Sequence, residues 1–153
     1  LHYDSDKDIL YTHAGISKAW YENHEPNFSE ETLREQIDQW GKINLFDLPR
    51  IDHVFDVGYA RRGNAVCGGP LWCDWFNEFR HFDLCRCQIF GHTPIKEISL
   101  EKNYDVPTNY AWNIDCLLQN NQVLEVPDEK LPLPAGISEK QKFYETKIKI
   151  QKF

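Results

Sequence analysis

The chain has 153 residues, a hydrophobic fraction of 41% and an aromatic fraction of 14%, with five Trp and nine Phe. That is the length of one domain, with enough apolar surface to offset the entropy of ordering the backbone, which excludes a disordered chain. A formal net charge of −7 repels polyanions, so nucleic acid is not an expected partner.

No apolar run approaches the roughly 20 residues that cross a bilayer, and the N-terminus lacks a basic and then hydrophobic signal pattern. Cys occurs five times; an odd number in a chain that folds without staples reads as reduced thiols. These readings predict a cytoplasmic protein with no membrane partner. The chain begins at Leu1 and contains no Met, so a piece of something longer is expected.

In chain order, "LHY" and "ILYTH" flank the polar turn "DSDKD" and predict a hairpin whose second strand carries His13 at its carboxyl end. A helix is expected from Ser29, a capping residue, with Phe28 and Leu33 as a staple and Glu30 and Glu31 at the positive end of the dipole. Its buried face is Leu33, Ile37 and Trp40, and Gly41 falls where such a helix often ends. Pro49 opens a second, shorter expected helix with Ile51, Val54 and Phe55 on one face.

The run "GYARRGNAVCGGP", Gly58 to Pro70, predicts a long loop, and long ordered loops are often functional. "LWCDWFNEFRHF" places Leu71, Trp72, Trp75, Phe76, Phe79 and Phe82 at a spacing that suits a helical turn or two against a core. "CQIFGHTP" reads as a short strand, then Gly91, His92 and a Pro that stops it. "YAWNIDCLL" and "QVLEV" around "QNNQ" predict a second hairpin, and "VPDEKLPLPAG" a connection. The last stretch, 139–153, ends in "TKIKIQKF", which alternates Ile with Lys, and predicts a charged edge strand or a tail.

His13 and His92 both stand just past a strand end beside a glycine, where an open α/β sheet gathers side chains around a crevice. Neutral imidazole is the commonest side-chain metal ligand, and a glycine lets the backbone come close to an ion or anion. The alternative at each position is a satisfied packing histidine. Cys67, Cys73, Cys85 and Cys87 carry the spacings C-x5-C and C-x-C, which match no common zinc pattern and favour buried thiols, with a structural zinc domain as the rival. His2, His53 and His81 read as surface or packing residues. "NHE" at 23 to 25 reads as a loop.

"LYTHAGIS", "GGPLWCDW", "IFGHTP" and "WNID", in that order, resemble the C-terminal half of calcineurin-like metallophosphoesterases, near bacterial relatives of the Ser/Thr phosphoprotein phosphatases. The resemblance implies an α/β chain forming the second half of a β-sandwich flanked by helices, with a mixed sheet, so that 1–153 is a single partial domain. It implies a phosphoric monoester hydrolase with two metal ions (Mn, Fe or Zn), in which His13 and His92 bind one metal, and a phosphorylated small molecule or phosphoprotein as substrate. Arg62 and then Arg61 are the expected phosphate-binding residues, Arg86 a third, and Asp115 of "NID" a structural neighbour.

The family's "GDxHG", "GDxxDRG" and "GNHE" motifs, which carry the other ligands and the catalytic His, do not occur in these residues. The expectation is therefore an inactive fragment that dimerises or aggregates through an exposed sheet edge. The rival is a non-catalytic binding or regulatory module.

Overall fold

The structure, a computed structural model, describes residues 1–24, 29–43, 53–81, 84–102, 109–116, 122–130 and 147–152. It is mixed α/β. A five-stranded sheet runs in the order β1 (His2–Asp4), β2 (Ile9–Tyr11), β3 (Cys87–Phe90), β5 (Tyr110–Asn113), β4 (Ser99–Lys102), and β6 (Gln122–Glu125) pairs with β7 (Lys149–Lys152) in a separate two-stranded sheet. The centre of the larger sheet, β2–β3–β5, is parallel, and the outer strands β1 and β4 are antiparallel to their neighbours. No helix of the described residues is long and apolar enough to cross a membrane.

The expected hairpin at the N-terminus forms, with Tyr3 opposite Leu10. Helix α2 (Glu30–Lys42) is capped by Ser29, whose side chain accepts from the Thr32 amide, and Leu33, Ile37 and Trp40 are buried along one face. The helix runs one residue past Gly41. A Cβ at Gly41 would fall 1.9 Å from the Leu1 carbonyl oxygen, so glycine is there for the close passage of the N-terminal strand rather than to stop the helix. Asp38 of α2 accepts from the Tyr3 amide at 2.7 Å, which caps the open edge of β1.

Helix α1 (Lys18–His24) was not expected. Only Trp20 and Tyr21 are buried in its seven residues, too few to show a period. The expected second hairpin does not form, because β5 lies between β3 and β4 while β6 pairs β7. All four residues of β5 are buried, as a central strand of a parallel sheet requires, whereas β6 exposes alternate positions and suits a peripheral pair. Of the stretch 139–153, expected as an edge strand or a tail, Lys149–Lys152 form β7, while 139–146 and 153 lie outside the described residues.

Residues 70–79 form single turns rather than a helix. The Asp74 carboxylate accepts from the Phe76 and Asn77 amides and so competes with helical bonding. Trp75 and Phe79 are buried, while Trp72 and Phe76 are exposed. The Phe28 staple, the helix start at Pro49, Phe82, the "QNNQ" turn and most of the proline-rich connection lie outside the described residues.

Candidate metal centre at the strand ends

Strands β2, β3 and β5 end at Tyr11, Phe90 and Asn113. His13, His92 and Asp115 each stand two residues further on. β3 and β5 end together, Phe90 opposite Asn113, and β2 ends one residue earlier, Tyr11 opposite Ile89; because all three are parallel, they deliver all three residues to one end of the sheet. The ladder continues past the strands through Gly91 N to His13 O at 2.9 Å and Ile114 N to Phe90 O at 2.8 Å, so the three turns stay aligned. His13 Nε2 lies 2.9 Å from His92 Nδ1, with the two rings edge to face at 65°.

A buried clamp sets the turn after His13. Gln88 is fully buried inside β3, where its Oε1 accepts from Ile16 N at 2.9 Å and its Nε2 donates to Ile16 O at 3.0 Å. One side chain thus satisfies both backbone groups of a residue that has left the sheet. Thr12 Oγ1 accepts from Gly15 N, and Ala14 N donates to Pro70 O, which fastens the turn to the glycine-rich loop.

The two glycines differ from their expected common role. Gly15 has φ +90, and a Cβ there would meet Phe79 at 2.9 Å, so it is required by backbone shape and by packing under the turn. At Gly91 an added Cβ would make only an ordinary 3.5 Å contact with Asp115. The strained residue is His92 itself, at φ 68.

Of the arginines, Arg61 is brought to the site. Its Nη2 donates to Thr93 Oγ1 at 2.8 Å, and its Nε lies 2.9 Å from Asp74 Oδ2 as an ion pair, off line for a hydrogen bond. Thr93 follows His92, accepts a second bond from the Trp75 amide and receives Asn113 Nδ2 on its carbonyl. Arg62 caps the preceding 3-10 turn (Tyr59–Arg61) in left-handed backbone and is exposed. Arg86 is at the other end of the sheet: it precedes β3, pairs with Asp8 ahead of β2 and donates to Asn109.

Burial, then the neighbouring His13 and Arg61, hold the His92 pKa below the ordinary histidine value, which favours the neutral ring that binds a cation. Two nitrogens each about 2.05 Å from one ion are about 2.9 Å apart at a right angle and about 3.3 Å apart at the tetrahedral angle. The donors therefore suit a divalent cation in type and spacing. They are also only two: among the described residues no further His, Cys, Asp or Glu ligand atom joins them closely enough to complete a group of three. A cavity of about 550 Å³, walled by Trp40, Phe55, Leu71 and Trp72, opens on the pair.

The cysteines do not gather as one zinc site. All five are free, and Cys67 and Cys73 lie with Glu78, while among the described residues Cys85 and Cys87 belong to no such group. Glu78 is engaged by the amides of Ala60, Gly68 and Asp74, so it organises the glycine-rich loop.

Gln88, Thr93 and Asp74 escaped the sequence reading as organisers of this end of the sheet. A glutamine inside "CQIF", otherwise apolar, was the available signal: a polar residue in a central strand must have a partner. Comparison of the chain with protein-family models, curated proteins and solved structures finds no match.

Proposed function

We propose that the chain carries part of the active centre of a metal-dependent phosphatase of the calcineurin-like, Ser/Thr phosphatase-like kind, with His13 and His92 as two ligands of one ion. The observation that carries the reading is the 2.9 Å approach of two imidazole nitrogens 79 residues apart at the ends of adjacent parallel strands. The five-stranded mixed sheet is compatible with one half of a sandwich.

In this reading the bound metals supply an activated water and neutralise charge on a phosphoryl group. The residues of this chain hold and orient. Gln88 fixes the turn that aims His13, and Thr93 with Asp74 fix the Arg61 guanidinium, whose planar fork suits phosphate oxygens. Arg61 is preferred to Arg62 because it is tied to the residue after His92. The apolar walls lower the dielectric around the developing charge. The remaining ligands of a two-metal centre are to be sought outside these residues, and the substrate is a phosphate monoester on a small molecule or a protein.

Two measurements test this. In the 153-residue chain, manganese should broaden the ring resonances of His13 and His92, and His92→Ala should abolish the effect at His13. Expressed with any coding sequence upstream of Leu1, the protein should hydrolyse p-nitrophenyl phosphate with manganese. Undiminished turnover in His13→Ala or His92→Ala would sink the assignment, and folded protein without turnover favours the binding-module rival.

A further inference from the structure

A second cluster of ligand-type side chains lies away from the strand ends. His24 is the last residue of α1, and His53 and Asp56 flank one turn closed by the Asp56 amide donating to the His53 carbonyl at 3.2 Å. We propose that His24, His53 and Asp56 form a binding site for a divalent cation of the zinc class.

The distances carry the proposal. His24 Nε2 and His53 Nδ1 face the same carboxylate oxygen, Asp56 Oδ2, at 3.5 and 3.3 Å. All the ligand atoms lie within 4.8 Å of one another. These separations exceed the usual 2.7–3.2 Å of a direct N–H···O bond. They match the edges, about 3.3–3.5 Å, of a tetrahedron of ligands each about 2.0–2.1 Å from zinc.

Tautomer chemistry points the same way. His24 Nδ1 is 2.7 Å from the Trp20 carbonyl, which can only accept, so Nδ1 carries the proton. With Nδ1 as the donor, a neutral ring would set the Nε2 lone pair against a carboxylate oxygen, an acceptor facing an acceptor. A cation there turns that repulsion into two bonds. A backbone carbonyl on the far nitrogen is the usual way a metal-binding histidine is oriented.

The same tryptophan fixes the second ligand, because Trp20 Nε1 donates to the His53 carbonyl at 3.1 Å. The loop is held from its other side by Gly69 N donating to Asp56 O at 2.8 Å. The carboxyl end of α1 carries the partial negative charge of the helix dipole, which favours a cation. His53 is the most exposed ligand and gives an entry path. Two His and one Asp with an open fourth position suit zinc's preference for nitrogen and carboxylate donors. Phe55, between the two loop ligands, lines the cavity on which His13 and His92 open. A cation here therefore braces one wall of that cavity without touching the strand-end pair.

The test uses the full chain carrying His13→Ala and His92→Ala, which removes the other histidine pair. Calorimetric titration should find one equivalent of zinc at neutral pH. Cobalt should give visible bands without the near-ultraviolet thiolate-to-metal band that Cys67 or Cys73 would produce. His53→Asn, which keeps a residue tolerant of the left-handed backbone at φ 72, and Asp56→Asn should each weaken zinc roughly tenfold or more, with circular dichroism unchanged. No zinc binding, a thiolate band, or titrations unaffected by both substitutions would overturn the proposal. A simple protonated His24–Asp56 pair would give the first of these outcomes.

Discussion

His13 and His92 are positioned by the sheet, through strand register and backbone bonds between residues 79 positions apart. His24 and His53 are positioned by a single residue, Trp20, which accepts from the His24 ring with its main-chain carbonyl and donates to the His53 main-chain carbonyl with its indole. The first arrangement gives a close pair of imidazole nitrogens with no third ligand-type atom gathered beside it among the described residues. The second gathers three donors within 4.8 Å of one another, two of them 3.5 and 3.3 Å from the shared Asp56 oxygen, and suits the cation proposed above. Register is rigid and costs no side-chain entropy, but it delivers only one residue per strand; a local cluster delivers more ligands and depends on its anchor.

The largest expected effect separates the two supports. Gln88→Leu leaves Ile16 N and O buried without their Gln88 partners, and at about 1–3 kcal/mol for each such group it should cost about 2–6 kcal/mol in urea unfolding. The manganese effect at His13 should vanish while zinc binding persists. Equal loss of both would show that the two regions are not independent. Trp20→Phe is the converse experiment. Trp20 is 1% exposed, so the gap and the lost indole bond should cost about 2 kcal/mol. Zinc affinity should drop about tenfold, with the His13 resonance responding to manganese as before.

A smaller effect is expected from Asp74→Asn. The amide oxygen can still accept from the Phe76 and Asn77 backbone, but the group facing Arg61 Nε loses its charge. The pair is partly exposed, so the loss should be about 1 kcal/mol, read from the urea midpoint. A loss above about 3 kcal/mol would mean that the loop, not the arginine, depends on Asp74.

Much of the strand-end arrangement was legible in the sequence because it is periodic and local: apolar runs that stop at "HAG" and "GHT" put a histidine after each strand. What joins them was less legible. Nothing near "YAWNID" says whether β5 pairs with β6 or enters between β3 and β4, since pairing is settled by burial on both faces. The helix-end cluster could not be read at all. "NHE" reads as a loop and His53 as a surface or packing residue; nothing in either stretch says that Trp20 carries one bond to each histidine. Likewise, the expected order of Arg62 before Arg61 is reversed, because the 3-10 turn sends the neighbouring arginines of "ARRG" in different directions, Arg61 towards Thr93 and Arg62 to the surface.

The smallest effect at neutral pH concerns Tyr11, the last residue of β2, beside the turn to His13. Burial, then the charges of Asp4 and Cys87, push its phenol up from 10.0 to about 12. The folded chain therefore keeps the proton up to about pH 12, while the unfolded chain releases it near pH 10. Between those values the unfolded state binds fewer protons, so stability falls as pH rises. Tyr11→Phe should be nearly neutral at pH 7, because the ring keeps its stacking on His2 at 6.0 Å, and should flatten the decline in Tm between pH 10 and 12. Tyr3, whose phenol donates to Asp8 and is also shifted upward, chiefly by burial, adds to that decline on the neighbouring strand. An unchanged slope in Tyr11→Phe but a flattened one in Tyr3→Phe would move the alkaline weak point of the hairpin from the strand end that carries His13 to its opposite, sheet-edge strand.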